Sequence, residues 1–156
     1  MTKSLVIYFS MTNNTKKVAE MIDQELGADT YRIQAKQPYT SEDLNWHNNS
    51  SRANREQEDN NSRPEFAGQL PDLTKYDRIL IGHPTWWGIP PRIINTVIEK
   101  LDLGEKEVAT FSTSGGSTYD QAQKVMDELI GSDVKPGRVL SSKKDVENWL
   151  RDINFK

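Results

Sequence analysis

The sequence predicts an open, doubly wound α/β fold: five parallel strands in the order 2-1-3-4-5 with helices on both faces. Two observations predict it. Short β-branched and aromatic runs alternate along the chain with amphipathic helical stripes, as in strands joined by crossover helices. The run Ile79-Leu80-Ile81 is apolar without interruption, as in a strand covered on both faces.

The elements follow in order. Val6 to Phe9 form a short buried strand between polar flanks. A helix spans about Thr15 to Leu26, with Val18, Met21, Ile22 and Leu26 on one face and Gly27 as its stop. "DTYRIQA" alternates like a second strand, and "YDRILIGHP" is the third. In "PPRIINTVIEKL", Ile93, Ile94, Val97, Ile98 and Leu101 share a stripe, and proline suits the first turn. "EVATFSTS" is the fourth strand, and "YDQAQKVMDEL" is a helix with Ala122, Val125, Met126 and Leu129 turned inward. "GRVLS" gives the fifth strand, and the last helix carries Val146, Trp149, Leu150 and Ile153.

Residues 36–71 break this rhythm, with stretches such as "NNSSRANREQEDNNSRPE". The expectation is one domain over 1–156 with a solvated polar insertion, part helical around Glu42 to Glu58. The alternative is a flap over a ligand, with Tyr39, Trp46 and His47 as candidates, since a loop this long in a compact domain is usually functional or disordered.

The insertion explains why only 35% of the 156 residues are hydrophobic. A net charge of −3 gives no reason to expect nucleic acid or an anionic membrane as partner. The lack of cysteine removes disulfides, thiol nucleophiles and thiolate metal sites together. The apolar run Leu5 to Phe9 is too short for a signal sequence, so a cytoplasmic protein is expected. The chain is expected to be a monomer or weak dimer.

Function must be read from the loops at the carboxyl ends of strands 1, 3 and 4, which converge on one crevice. The first, "SMTNNT", supplies Ser10, Thr12, Asn13, Asn14 and Thr15 and no basic residue. One such side chain would suffice to cap a helix. Five of them beside the free N–H groups of a helix start suit a phosphate. Lys16 and Lys17 are placed to add charge or simply to face solvent. The second, "HPTWWGIPP", holds Pro84, Thr85, Trp86, Trp87 and Gly88. Adjacent tryptophans cannot both enter one core when strand side chains alternate, so one offers its face to solvent or a ligand. The third, "FSTSGGST", places Thr113, Ser114, Gly115, Gly116 and Ser117 where backbone can approach a ligand closely. A phosphate nest, an aromatic wall and a glycine-lined edge together describe a site for a phosphorylated planar ring.

At these residues the chain resembles the flavodoxin family, along most of its length and most strongly in the three loops. The family's usual glycine in the phosphate turn is replaced by Asn13. "PTWWGIPP" and "TSGGS" are similar to the flavin-flanking loops of a branch that also carries a long polar segment before strand 3. The resemblance implies a flavodoxin-like fold and FMN as cofactor, with Trp86 or Trp87 against the isoalloxazine and the glycine loop at its pyrimidine edge. Trp87, at the loop apex, is the expected ring contact and Trp86 the anchor, with Tyr119 nearby as a further aromatic. The peptide joining Trp87 to Gly88, or the next one, is expected to rotate on reduction of the flavin.

Other activities on this topology do not fit. A phosphatase needs a cysteine and an arginine where Ser10 and Thr15 stand, and a receiver domain needs an aspartate where the third strand ends in "GHPTWW". The first turn lacks the G-x-G-x-x-G of a dinucleotide site. Two functions remain: an electron carrier serving a redox partner protein, and an FMN-dependent oxidoreductase taking hydride from NAD(P)H to reduce a quinone or similar acceptor. The carrier is preferred. The enzyme would draw on His47 or His83 as proton donor.

Overall fold

The computed structural model describes residues 2–114, 116–131 and 133–156. Ten elements run β1 (Ser4–Phe9), α1 (Asn14–Leu26), β2 (Asp29–Ile33), α2 (Arg52–Glu58), β3 (Arg78–Pro84), α3 (Arg92–Lys100), β4 (Glu107–Thr113), α4 (Asp120–Ile130), β5 (Lys135–Val139) and α5 (Lys143–Asp152). The strands form one parallel sheet in the order β2-β1-β3-β4-β5. This is the flavodoxin-like doubly wound fold read from the sequence. Among the described residues, no helix is long and apolar enough to cross a membrane.

Strand alternation splits the core into two layers. Val6, Tyr8, Leu80, Ala109 and Phe111 pack with Val18 and Ile22 of α1 and with Val146, Trp149 and Leu150 of α5. Leu5, Ile7, Phe9, Ile79, Ile81 and Val108 pack with Ile93, Ile94 and Val97 of α3 and with Met126 of α4. The central strands feed both layers, so their apolar runs show no polar alternation.

Three boundaries differ from the sequence reading. β2 stops at Ile33, because Gln34 to Lys36 turn to pair antiparallel with Glu65 to Ala67. β5 starts at Lys135 and includes Pro136 and Gly137. Proline is tolerated there because β5 is an edge strand paired only with β4. Gly137 is required there because a Cβ would lie 2.1 Å from Cε2 of Tyr119. In the insertion, only Arg52 to Glu58 is helical, preceded by turns.

The insertion is largely exposed, as a polar excursion should be, yet it is docked at several points. Its base is closed by the Ala35–Phe66 bridge. Tyr39 is buried, donates to Glu56 Oε1 and lies under Arg52, whose guanidinium carbon is 3.8 Å from the ring centroid. Polar residues hold the segment down through hydrogen bonds, which is why its composition concealed the packing.

Candidate functional site

After β1 the chain turns through Ser10 to Asn13 into α1. Asn13 is the N-cap residue at φ 67, a left-handed conformation that Asn adopts more readily than most residues with a Cβ. Its side chain makes no capping bond. Ser10 is buried, and its Oγ accepts the Lys16 N–H at 3.3 Å. The N–H groups of Asn14 and Thr15 have no partner among the described residues and lie at the positive end of the α1 dipole. Arg32, in β2 beside Tyr8, reaches this turn: Nη2 donates to the Ser10 carbonyl at 2.8 Å and to Asn13 Oδ1 at 3.2 Å.

The tryptophan loop is a two-residue turn. Trp86 N–H donates to the Ile89 carbonyl at 2.9 Å, and Ile89 N–H returns to the Trp86 carbonyl at 3.3 Å. Between them Trp87 (φ 55) and Gly88 (φ 83) both have positive φ, the requirement of a type I′ turn. A bulky side chain there carries roughly 1–2 kcal/mol of backbone strain. The turn leaves the Trp87 indole at the surface, 48% exposed. Trp86 turns inward, edge-on to Tyr39 at 5.4 Å and to Phe9 at 6.2 Å.

This turn opposes the rotation expected at Gly88. Flipping the Trp87–Gly88 peptide converts type I′ into type II′, whose first central position belongs to glycine but is held by Trp87. Flipping the next peptide breaks the Ile89 hydrogen bond.

Thr113, the last residue of β4, ties the three loops together. Its Oγ1 lies 2.8 Å from Thr15 Oγ1, and its carbonyl accepts from Thr85 Oγ1 at 3.1 Å. In the following loop Ser114 Oγ accepts from the Gly116 and Ser117 N–H groups at 3.2 and 2.8 Å. Gly115 lies outside the described residues.

Two cavities share Thr12, Pro84, Thr85 and Trp86 as a common wall. One, of about 310 Å³, is completed by Met11, Thr15, Trp87 and three insertion residues, Leu44, Trp46 and Ala53. The other, of about 390 Å³, extends along Asn14, Lys17, Thr113 and Ser114 to Leu140 and Ser141. Of the sequence candidates, Ser10, Asn13, Gly88, Gly116 and Ser117 do not line either cavity. Trp46 is 62% exposed and stacks on His47, with ring centroids 3.7 Å apart.

His83 is fully buried. The Pro84 carbonyl can only accept, so Nδ1 carries the ring proton and donates to it at 2.8 Å, while Nε2 lies 3.1 Å from the Tyr119 hydroxyl. Burial pushes its pKa down to about 4, so the ring is neutral at pH 7 and is no proton donor there. Tyr119 is buried too, its hydroxyl 2.6 Å from Thr110 Oγ1, and offers no face to the crevice.

Sequence reasoning missed Arg32, Arg92 and Gln57; of the insertion residues in the cleft wall it named Trp46 but not Leu44 or Ala53. Gln57 Nε2 donates to the Trp86 carbonyl at 3.0 Å and to the Pro90 carbonyl at 3.2 Å. These bonds join side chains to carbonyls remote in sequence, which no local pattern announces.

An anion-ready helix start beside an apolar cleft, at the carboxyl edge of a 2-1-3-4-5 sheet, is the arrangement of the ligand crevice in proteins of the doubly wound class. The flavodoxin family model matches residues 3–153, and the chain belongs to that family. A structure from Bacteroides eggerthii assigned to the flavoproteins is 40% identical over 100% of both chains, with a TM-score of 0.93. Another so assigned, from Bacteroides uniformis, is 38% identical over 96% of this chain and 98% of that one, with a TM-score of 0.91. A Lactobacillus acidophilus flavoprotein in complex with FMN is 28% identical over 96% of this chain and 99% of that one, with a TM-score of 0.76. No match is found among curated proteins.

Proposed function

We propose that the chain binds FMN in this crevice and works as an electron carrier for a redox partner protein. The observation that carries the reading is the pair of partnerless N–H groups, Asn14 and Thr15, beside an apolar cleft. The residues fit the cofactor. The turn into α1 offers the phosphate backbone donors and the Thr12 and Thr15 hydroxyls. Each bond to a phosphate oxygen is charge-assisted and worth roughly 1.5–3 kcal/mol. The apolar cleft, with Trp86, Trp87 and Trp46 in its walls, suits the ring. Bound FMN supplies the electron chemistry, taking up and passing on one or two electrons.

The carrier is favoured over an enzyme by the make-up of the cleft. Its walls consist of Met, Thr, Leu, Trp, Ala and Pro, none of which moves a proton near pH 7. His83, behind the cleft, stays neutral. One observation favours the second reading, an FMN-dependent NAD(P)H oxidoreductase for quinones or similar acceptors: Leu44, Trp46 and Ala53 line the cleft, adding apolar surface against which a second planar ring could lie. Steady-state kinetics of the FMN-loaded protein with NADH or NADPH and a quinone separate the two. The carrier gives slow direct turnover, and turnover at ordinary enzymatic rates would contradict it.

A further inference from the structure

We infer that Arg32 is a positioning residue that keeps the phosphate turn open by holding Asn13 away from the helix end it would otherwise cap. The inference rests on the assignment of FMN to this crevice. An asparagine at an N-cap normally adopts extended backbone and turns its Oδ1 onto the N–H of the second or third helical residue. Here those residues are Thr15 and Lys16, and Asn13 serves neither.

Three contacts explain why. Arg32 Nη2 takes Asn13 Oδ1 at 3.2 Å, and the same nitrogen holds the Ser10 carbonyl at 2.8 Å. Ser10 Oγ occupies the Lys16 N–H at 3.3 Å. The Thr15 N–H is thereby left without a partner among the described residues, as is that of Asn14. A guanidinium forms a stronger, charge-assisted bond with an amide oxygen than a backbone N–H does, so Arg32 wins the competition for Oδ1. β2 fixes the geometry: Arg32 pairs in register with Tyr8, and its guanidinium carbon stands 6.0 Å from that ring's centroid. A positive charge is thus supplied to a turn whose own sequence contains none.

Without Arg32, Asn13 is free to leave the left-handed region and fold its amide back onto α1. The first-turn N–H groups are then occupied by the chain itself. A phosphate loses them, while the cleft walls that hold a ring are untouched. Glycine at position 13 behaves differently, since it takes positive φ at no steric cost and has no side chain to fold back.

The test measures dissociation constants for FMN and riboflavin by quenching of flavin fluorescence, in the parent protein, Arg32→Met, Asn13→Gly and the double variant. Arg32→Met should weaken FMN about tenfold or more, with riboflavin unchanged as evidence that the crevice remains folded. In the Asn13→Gly background the same substitution should weaken FMN by less than about threefold. An equal loss of FMN in both backgrounds would overturn the inference, because Arg32 would then act through its charge alone. So would equal losses of FMN and riboflavin. A parent protein that bound the two flavins alike would instead fail the FMN assignment itself.

Discussion

Arg92 and Gln57 are tied twice: the Arg92 N–H donates to Gln57 Oε1 at 3.2 Å, and its Nη2 donates to the Gln57 carbonyl at 2.8 Å. The guanidinium also reaches the Glu56 carbonyl at 3.3 Å and Asn60 Oδ1 at 2.9 Å. With only 6% of its surface exposed, Arg92 caps the end of α2 from the start of α3. Gln57 extends the tie to Trp86, so the insertion and the tryptophan loop form one wall.

Arg92→Met should therefore destabilise the protein by about 2–4 kcal/mol in urea, since it strands several buried acceptors. Limited proteolysis should then cut first within 36–71. A loss below about 0.5 kcal/mol would show that the insertion docks by other means.

The two tryptophans should separate stability from flavin contact. Trp86→Ala removes the edge-on contacts with Phe9 and Tyr39 and should cost about 2–4 kcal/mol. Trp87→Ala should change stability by no more than about 0.5 kcal/mol, yet restore emission from bound flavin. The reverse pattern would exchange their roles.

Gly88→Ala places a Cβ where φ is 83 and Gln121 Oε1 lies 2.3 Å away. Since the turn already resists peptide rotation, the variant should bind oxidised and reduced FMN more weakly by similar factors. A redox titration would then show both one-electron potentials nearly unchanged. A selective shift of the first potential would show that the peptide does rotate.

His83 makes stability depend on pH. Its folded pKa, about 4, lies below the ordinary histidine value, so the unfolded chain binds the extra proton first as pH falls. The stabilisation is complete above about pH 6.5 and is lost between there and about pH 4, on the order of 3 kcal/mol in all. His83→Gln should flatten the slope between pH 6.5 and 5. In the parent, a His83 ring resonance that titrated near pH 6.5 would refute the buried neutral assignment.

The sheet order and the three converging loops were legible because hydrophobic period and loop composition are local properties. "ILI" could be little else than a central strand, and "SMTNNT" announced its donors directly. The docking of the insertion was not legible because Gln57, Arg52 and Asn54 are polar yet buried or half-buried, satisfied by carbonyls 29, 15 and 8 positions away. Arg32 was invisible for the same reason. In sequence it is one charged residue in a strand, and its partners are 22 and 19 positions away. β5 was shifted because Pro136 and Gly137 read as breakers until the sheet edge and the Tyr119 ring account for them.

The central claim, that the start of α1 receives the phosphate of a flavin nucleotide, is tested most directly by titrating the apoprotein with FMN and with riboflavin in a calorimeter. Two or more charge-assisted bonds to the phosphate predict FMN tighter by at least about a hundredfold, an advantage lost in part on Thr12→Ala or Thr15→Ala. Equal affinities for the two flavins would contradict it.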